Sequence, residues 1–305
     1  MIDKILERAK KLNVQIDSVI IEKEGIILKR LINDLGLHEL RSCSKLLTAF
    51  ACGIAIAENK KCKYTNKPLS LDTEVYSTLA AIYDGNIPSQ VQEWTIKTLL
   101  THSTGYNKML FNEKHVKSIG HNQKDLFDEL FSTPITYKTN KHFTYSNIEP
   151  YLFSVFFQEN FGISLADYIA EKIFKLLDIK EYKWNNIGNY CAGATGLYLR
   201  FEDFHKIGQL LMYEGKYNNV QVVPQEWIKE MTKKQIKRPF YFKFKTILPK
   251  LGIGYHIWIS HKGIIYRDGS GGQYIICNHK KNQLTTVMST QKNMLLVKKC
   301  LKGLV

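Results

Sequence analysis

Patterns typical of β-strands occur near both ends of this chain, with helical periodicity between them. Residues 16–31 form two short apolar runs around a turn at Lys23 to Gly25, which predicts a hairpin. After Gly252, runs separated by turn residues predict strands over 254–260, 263–268, 272–278 and 283–289. Such distant strands share a sheet only if the chain ends meet. We therefore predict an α+β fold whose antiparallel sheet is built from both termini.

The segment from Ser42 to about Met231 has the spacing of a mainly helical lobe. Polar loops are predicted to interrupt it at 59–70, 101–107 and 114–124. One amphipathic helix follows Ser164, a suitable N-cap, and another is closed by Gly215. Further helices are predicted at the N-terminus, with Ile2, Ile5, Leu6, Ala9 and Leu12 on one face, and over 293–301.

The chain contains no linker-like stretch and no internal repeat, so we predict a single domain over residues 1–305. Its sheet lobe is expected to comprise about 1–58 and 232–305, and its helical lobe about 59–231. Hydrophobic residues make up 44% and aromatic residues 12% of the sequence, which excludes a disordered protein.

The longest apolar run, Leu46 to Ala57, is too short to cross a bilayer and contains Thr48 and Gly53. It predicts a buried helix, and no membrane span is expected. The N-terminus lacks the continuous apolar core of a signal peptide, so we expect no export by that route.

The six cysteines occur singly, without a spacing typical of zinc sites. We therefore predict free thiols in a reducing cytoplasm, with no metal and no cofactor. The formal charge of +15 comes mostly from scattered lysines, so a solvated surface is favoured over a nucleic-acid partner. Between Lys233 and Lys250 basic and aromatic residues alternate. That stretch could bind an acidic or aromatic partner, or form a flap with its aromatic side packed on the body.

A polar quartet, residues 42–45, stands directly before the apolar run and contains the motif S-x-x-K. On a helix Ser42 and Lys45 would share one face, about 5 to 6 Å apart at Cβ. A serine hydroxyl needs a partner that removes its proton, and burial would lower the pKa of Lys45 as a base requires. The alternative is a plain N-cap with a surface lysine. A second copy, Ser289 to Lys292, ends a predicted strand and lacks the following helix.

Two further motifs have the residue types of a catalytic cleft. Tyr145 and Asn147 form Y-x-N before another apolar helix, although a buried phenol with a capping asparagine would have the same sequence. Later, Gly269, Ser270, Gly271, Gly272 and Gln273 enter a predicted strand. Glycines there permit close backbone approach to a ligand, or merely a tight turn.

Together these motifs resemble the serine β-lactamase and penicillin-binding-protein superfamily, nearer its class C β-lactamases, esterases and nylon-oligomer hydrolases. The stretches TIKTLLTHSTGY (95–106) and 196–227 are also similar to that family. The resemblance spans nearly the whole chain and implies the β-lactamase/transpeptidase-like fold, with the site in a cleft between the lobes.

The resemblance implies a role for each matching residue. Ser42 would be the acylated nucleophile, Lys45 its proton partner, and Tyr145 the second base and leaving-group acid. Asn147 would hydrogen-bond the substrate amide or Lys45, and the backbone N–H groups of Ser42 and Gln273 would form the oxyanion hole. A tyrosine titrates near pH ~10, so its use as a base would require positive Lys45 close by.

The sequence departs from the penicillin-recognising pattern at the third motif, where Ser270 replaces a lysine or histidine that binds a carboxylate. Without that cation, a charge-assisted hydrogen bond worth about 1.5 to 3 kcal/mol of binding free energy is lost. β-Lactams should therefore be poor substrates unless Arg267 or a lysine of 233–250 substitutes. A hydrolase of small-molecule esters or amides fits better. Acyl transfer by the same intermediate and a catalytically silent binding protein are the alternatives. His102 is expected to be structural, and no oligomeric state is predicted.

Overall fold

An eight-stranded antiparallel sheet joins the two ends of the chain. The structure is a computed structural model that describes residues 1–33, 36–237, 248–291 and 293–303. In sheet order the strands are Ile236–Lys237 (β10), Gly252–Ile253 (β11), Trp258–Ile259 (β12), Ile264–Asp268 (β13), Tyr274–Asn278 (β14), Gln283–Met288 (β15), Ser18–Lys23 (β1) and Ile26–Leu31 (β2). N-terminal β1 therefore lies between β2 and C-terminal β15, which confirms the predicted α+β class and hairpin.

Seven shorter strands form three small sheets. These strands are His38–Glu39 (β3), Tyr182–Trp184 (β4), Asn186–Ile187 (β5), Tyr190–Cys191 (β6), Leu197–Leu199 (β7), Lys216–Tyr217 (β8) and Val220–Gln221 (β9). The first sheet has the order β3-β7-β4, so the strand just before Ser42 pairs with a segment more than 150 residues later. This pairing ties the Ser42 turn to the helical part of the chain.

Most of the described α-helices lie between β2 and β10. The α-helices are Ile2–Lys11 (α1), Lys45–Ala57 (α2), Tyr76–Ile82 (α3), Ile96–Leu100 (α4), Glu113–Ile119 (α5), Gln123–Ser132 (α6), Ile148–Phe161 (α7), Leu165–Ile169 (α8), Phe201–Met212 (α9), Gln225–Met231 (α10) and Met294–Cys300 (α11). The Ser164 hydroxyl accepts a hydrogen bond from the Asp167 N–H and caps α8, as predicted, and a π-helical turn at Ala170–Phe174 follows.

Helix α2 lies in the centre of the main hydrophobic core, since it has no charged face to expose. All its residues from Lys45 to Ala55 are buried. Gly53 leaves room for the indole of Trp227, whose Nε1 donates to the carbonyl oxygen of Ala49 at 2.9 Å. Because this helix begins at Lys45, the core holds the first catalytic candidates in a fixed place.

The two terminal helices pack on each other behind the sheet. Arg8 of α1 donates from Nη1 to the carbonyl oxygen of Cys300 at 3.1 Å. Ile2, Ile5 and Ala9 are buried as predicted. Leu12 is 40% exposed, because α1 ends at Lys11 and the next residue leaves the helical face.

Two boundary predictions are wrong. Residues 114–124 are mostly helical rather than a loop, because Asn112 and Asn122 cap α5 and α6 and the lysines lie on their outer faces. The strand predicted over 254–260 is reduced to Trp258–Ile259, since the chain turns at His256, whose φ is +54°.

Some predicted features lie outside the described residues. These are positions 238–247 of the basic and aromatic stretch and Lys292 of the second S-x-x-K motif. In the part of the chain that is described, no helix combines the length and apolar character needed to cross a membrane.

Candidate active site

Ser42 lies in a 3-10 turn, Arg41–Ser44, which runs directly into α2. Arg41 has a φ of +50°, a left-handed conformation that a non-glycine residue adopts at a cost of about 1 to 3 kcal/mol. The turn is held by the Ser44 hydroxyl, which donates to the Arg41 carbonyl, and by the Arg41 side chain, which pairs with Glu39 at 2.8 Å and Glu113 at 3.0 Å. The strained turn presents the Ser42 side chain, which is half-buried.

Lys45 is wholly buried beneath Ser42, with its Nζ 3.3 Å from the Ser42 Oγ. The same Nζ lies 2.7 Å from Asn147 Oδ1 and 3.1 Å from the Ala194 carbonyl oxygen. Burial, together with the positive charge of Arg267, lowers the pKa of Lys45 well below its usual range. A neutral amine has two N–H groups for Asn147 and Ala194, and its lone pair then faces the Ser42 hydroxyl. A surface lysine is therefore excluded.

Asn147 does not cap the helix that it precedes. Helix α7 begins at Ile148 without a side-chain cap from Asn147. The Asn147 amide instead donates from Nδ2 to the Phe111 carbonyl at 2.9 Å and turns Oδ1 toward Lys45. The orientation of Asn147 thus places a hydrogen-bond acceptor against the amine of Lys45.

Tyr145 is half-buried and lies beside the same lysine. Lys45 Nζ is 5.0 Å from the centre of the phenol ring. Burial raises the pKa of Tyr145, and the neighbouring Arg267 charge and a hydrogen bond with Ser42 oppose that rise. The opposite pKa shifts of Lys45 and Tyr145 favour a neutral amine and a neutral phenol as the resting pair.

Arg267 is a site residue whose role the sequence did not reveal. Its guanidinium is fully buried and donates from Nη2 to Tyr145 Oη at 2.6 Å and from Nε to the Ser42 carbonyl at 2.9 Å. A third bond runs from Nη1 to the His256 carbonyl at 3.0 Å. Arg267 therefore holds the hydroxyl of Tyr145. The sequence had suggested a different role, in which Arg267 binds a substrate carboxylate in place of the cation missing at Ser270. The available signal was an arginine that follows two isoleucines and a tyrosine in a short predicted strand.

The glycine-rich turn lies against the segment that carries Ser42. A side chain at Gly269 would collide with the Leu40 carbonyl, and Cys43 Sγ lies 3.8 Å from the Gln273 carbonyl. The buried Gln273 side chain bonds within the protein, to the Gly271 N–H at 3.0 Å and the Ser289 carbonyl at 3.1 Å. The glycines thus allow close backbone approach between two protein segments. The backbone oxyanion hole at Ser42 and Gln273 remains a prediction.

Ser270 and its neighbours differ in exposure. Ser270 is exposed, Gly271 is half-buried and Gly272 is buried, with a φ of +90° that favours glycine. The exposed serine hydroxyl carries no charge at the position where penicillin-recognising enzymes have a cation.

A cleft of about 200 Å³ lies next to the site, although its lining includes none of Ser42, Lys45, Tyr145, Asn147 and residues 269–273. It adjoins the site at three points, because Arg41 precedes Ser42, Phe111 accepts from Asn147, and Thr195 follows Ala194. Its wall combines charged and apolar side chains, including Arg41, Phe111, Glu113, Val116, Lys117 and Tyr198. Within the described residues no group of three or more His, Cys, Asp and Glu side chains could hold a metal ion.

Comparison with known proteins identifies the family of this chain. The sequence model of the beta-lactamase family matches residues 31–295. The chain belongs to the beta-lactamase family. The matched range extends from the end of β2 to α11 and so includes every catalytic candidate of this beta-lactamase-family protein.

Solved structures share the β-lactamase/transpeptidase-like fold. An octameric penicillin-binding protein homologue from Pyrococcus abyssi is 18% identical to this chain, with a TM-score of 0.74. The alignment covers 98% of this chain and 75% of the homologue. The penicillin binding protein from Bacillus halodurans is 16% identical with a TM-score of 0.74, covering 99% and 100%. EstCE1, a hydrolase with promiscuous acyltransferase activity, is 12% identical with a TM-score of 0.73, covering 99% of both chains. No curated protein sequence matches significantly.

Proposed function

We propose that this member of the beta-lactamase family is a serine hydrolase that cleaves small esters or amides through an acyl-Ser42 intermediate. The observation that carries the proposal is the position of Lys45. Its buried Nζ lies 3.3 Å from the Ser42 hydroxyl, and the oxygens of Asn147 and Ala194 accept the two hydrogens of the neutral amine. This arrangement is what an unprotonated amine needs to act as a base.

In the acylation step, neutral Lys45 takes the proton of Ser42 as Oγ bonds to the acyl carbon. The carbonyl π-electrons move to oxygen, where the predicted N–H groups of Ser42 and Gln273 stabilise the negative charge. When the tetrahedral intermediate collapses, Tyr145 gives its proton to the leaving alcohol or amine. The resulting phenolate is stabilised by the 2.6 Å bond from Arg267 and regains a proton from the Lys45 ammonium.

In the deacylation step, water replaces the departed leaving group. As the water oxygen attacks the acyl carbon, Tyr145 takes a proton from the water and passes its own phenol proton to the neutral amine of Lys45, which lies beside its ring. Ser42 leaves with a proton returned by the same pair, which restores the neutral amine and phenol. Each cycle thus consumes one ester or amide and one water.

The exposed Ser270 supports an ester or amide substrate over a β-lactam. No cation at that position is available to bind the carboxylate of a penicillin.

Acyl transfer is the second candidate function, because EstCE1, which shares the fold, is a hydrolase with promiscuous acyltransferase activity. An added alcohol or amine would then capture the acyl-Ser42 intermediate. Product analysis with such nucleophiles distinguishes the two functions, since transfer yields a new ester or amide and hydrolysis yields only the acid.

The test is an activity screen over short esters, amides and a chromogenic cephalosporin. We expect turnover of activated esters that Ser42→Ala abolishes and that the control Ser132→Ala, at an exposed serine of α6, leaves unchanged. Equal turnover by Ser42→Ala and the native protein would refute the proposal. Tight binding without turnover of any substrate would favour the silent binding protein.

We also propose a reducing, cytoplasmic setting for this activity. All six cysteines are free and buried, and no pair has formed a disulfide.

A further inference from the structure

Three buried side chains form a line of hydrogen bonds behind the catalytic candidates. Glu149 Oε2 lies 3.0 Å from His102 Nδ1, and His102 Nε2 lies 3.0 Å from His256 Nδ1. All three side chains have no exposed surface. Oε1 of the carboxylate accepts from the Thr104 hydroxyl at 2.8 Å, and among the described residues His256 Nε2 has no hydrogen-bond partner.

This line of hydrogen bonds is connected to Tyr145 in two ways, directly through the His102 ring and indirectly through Arg267. The His102 ring packs on the phenol ring with 5.1 Å between centres. The His256 carbonyl accepts from Arg267 Nη1, and the same guanidinium donates to Tyr145 Oη. A change in either histidine would therefore move the tyrosine or its arginine.

We propose that Glu149, His102 and His256 form a positioning relay that holds Tyr145 and Arg267 in place and balances the positive charge that Lys45 acquires during acylation. This inference rests on the proposed function. None of the three residues touches the substrate in this scheme.

One proton at Glu149 sets the direction of the whole relay. Burial lowers the pKa of His102 and of His256 well below the usual range, so both rings stay neutral with one donor and one acceptor each. When Glu149 is ionised, His102 donates to it from Nδ1 and accepts at Nε2 from His256. When Glu149 is protonated, every bond reverses, and the relay ends in an N–H without an acceptor.

The charge of Glu149 matters because positive groups lie close by. The titratable and charged groups that face the relay are Lys45, Tyr106, Tyr145 and Arg267. Burial raises the pKa of Glu149 to about 7, while the Thr104 hydroxyl and the Lys45 charge favour its ionised form. In return the carboxylate raises the pKa of Lys45. The ionised relay thus supports the ammonium that forms as Ser42 attacks.

Two substitutions are expected to shift the acidic limb of the kcat/KM profile in opposite directions. Glu149→Gln removes the carboxylate, so the ionisation near pH 7 disappears from the profile and the pKa of Lys45 falls. The acidic limb of the profile then moves to lower pH by about one unit or more, and the plateau value of kcat/KM falls. Thr104→Val removes a donor that favours the carboxylate, so the pKa of Glu149 rises and the limb moves to higher pH.

The control is Glu159→Gln, the same change on the same helix, at a half-buried glutamate that bonds to Tyr190 at 2.8 Å. We expect its profile to match the native one. An unmoved limb in folded Glu149→Gln or in Thr104→Val would overturn the relay; if Glu149→Gln fails to fold, Thr104→Val alone decides. Failure of the hydrolase proposal is distinguishable, since the native protein would then show no Ser42-dependent turnover at any pH.

Discussion

At the scale of the residue, the site depends on two buried basic side chains with different tasks. Lys45 is surrounded so that its amine loses a proton, whereas Arg267 keeps three hydrogen bonds to oxygen atoms of Ser42, His256 and Tyr145. A guanidinium can reach three oxygens at once because its N–H groups diverge in a plane. The arginine therefore joins the nucleophile turn to the tyrosine.

Substitution Arg267→Lys tests that role. A single ammonium cannot donate to three separated oxygens, so we expect kcat/KM for an activated ester to fall about 100-fold while the protein stays folded. Steady-state kinetics beside circular dichroism measures both. The control is Arg200→Lys, at an exposed arginine paired with Glu181 at 2.7 Å, which should retain native kinetics. Native kinetics in folded Arg267→Lys would contradict the assigned role.

At the scale of the element, α2 fixes the site because it is packed on all sides. Gly53 is an unusual choice inside a helix, where alanine would favour helix formation by about 1 kcal/mol. The Trp227 indole occupies the space of the missing side chain and stacks on Tyr255 at 5.4 Å. Close packing thus outweighs helix propensity at this position.

We expect Gly53→Ala to lower the free energy of unfolding by about 1 to 3 kcal/mol, since the added methyl overlaps a ring that its neighbours hold in place. The control is Gly208→Ala in α9, where the added methyl would meet the flexible Leu284 side chain at 3.1 Å. Urea unfolding of both variants gives the comparison. A Gly53→Ala protein as stable as the native one would show that α2 and Trp227 separate at little cost.

Sequence patterns predicted those elements whose signal is local. Short runs separated by turn residues identified β1, β2, β14 and β15, and longer apolar runs identified α2 and α7. Most of helix α5 and the first two residues of α6 fall in a predicted loop, because their signal lies in the capping residues Asn112 and Asn122 rather than in a long apolar run.

The site was only partly predictable, for the same reason. Local motifs identified Ser42, Lys45, Tyr145 and Asn147 as candidates. The bond from Arg267 to Tyr145 joins residues 122 positions apart, and no local pattern records such a contact. The relay through His256 likewise exists only after the chain turns at that residue.

At the scale of the whole molecule, one hydrophobic cluster crosses from the sheet into the helices. It contains Ile275 and Leu284 of the sheet, Leu47 of α2, Phe156 of α7 and Leu130 of α6. Helix α9 packs on β14 and β15, and α2 packs on α7, α8 and α10, so the cluster draws on both lobes and neither lobe would keep this core without the other.

We therefore expect the chain to unfold in urea as one cooperative unit. Variants that retain only Trp94, in the helical lobe, or only Trp258, in the sheet, report on each lobe by fluorescence, and circular dichroism reports on both. Within each variant the fluorescence and circular dichroism curves should share one midpoint. Separate midpoints for the two probes within one variant would divide the chain into two domains.

The most direct test of the account is peptide mass spectrometry after reaction with a fluorophosphonate or a slowly hydrolysed ester. We predict one covalent adduct per chain, located on Ser42, that forms more slowly as pH falls and Lys45 becomes protonated. An adduct on another residue would contradict the assignment of Ser42 as the nucleophile. So would labelling of the Ser42→Ala variant to the same extent as the native protein.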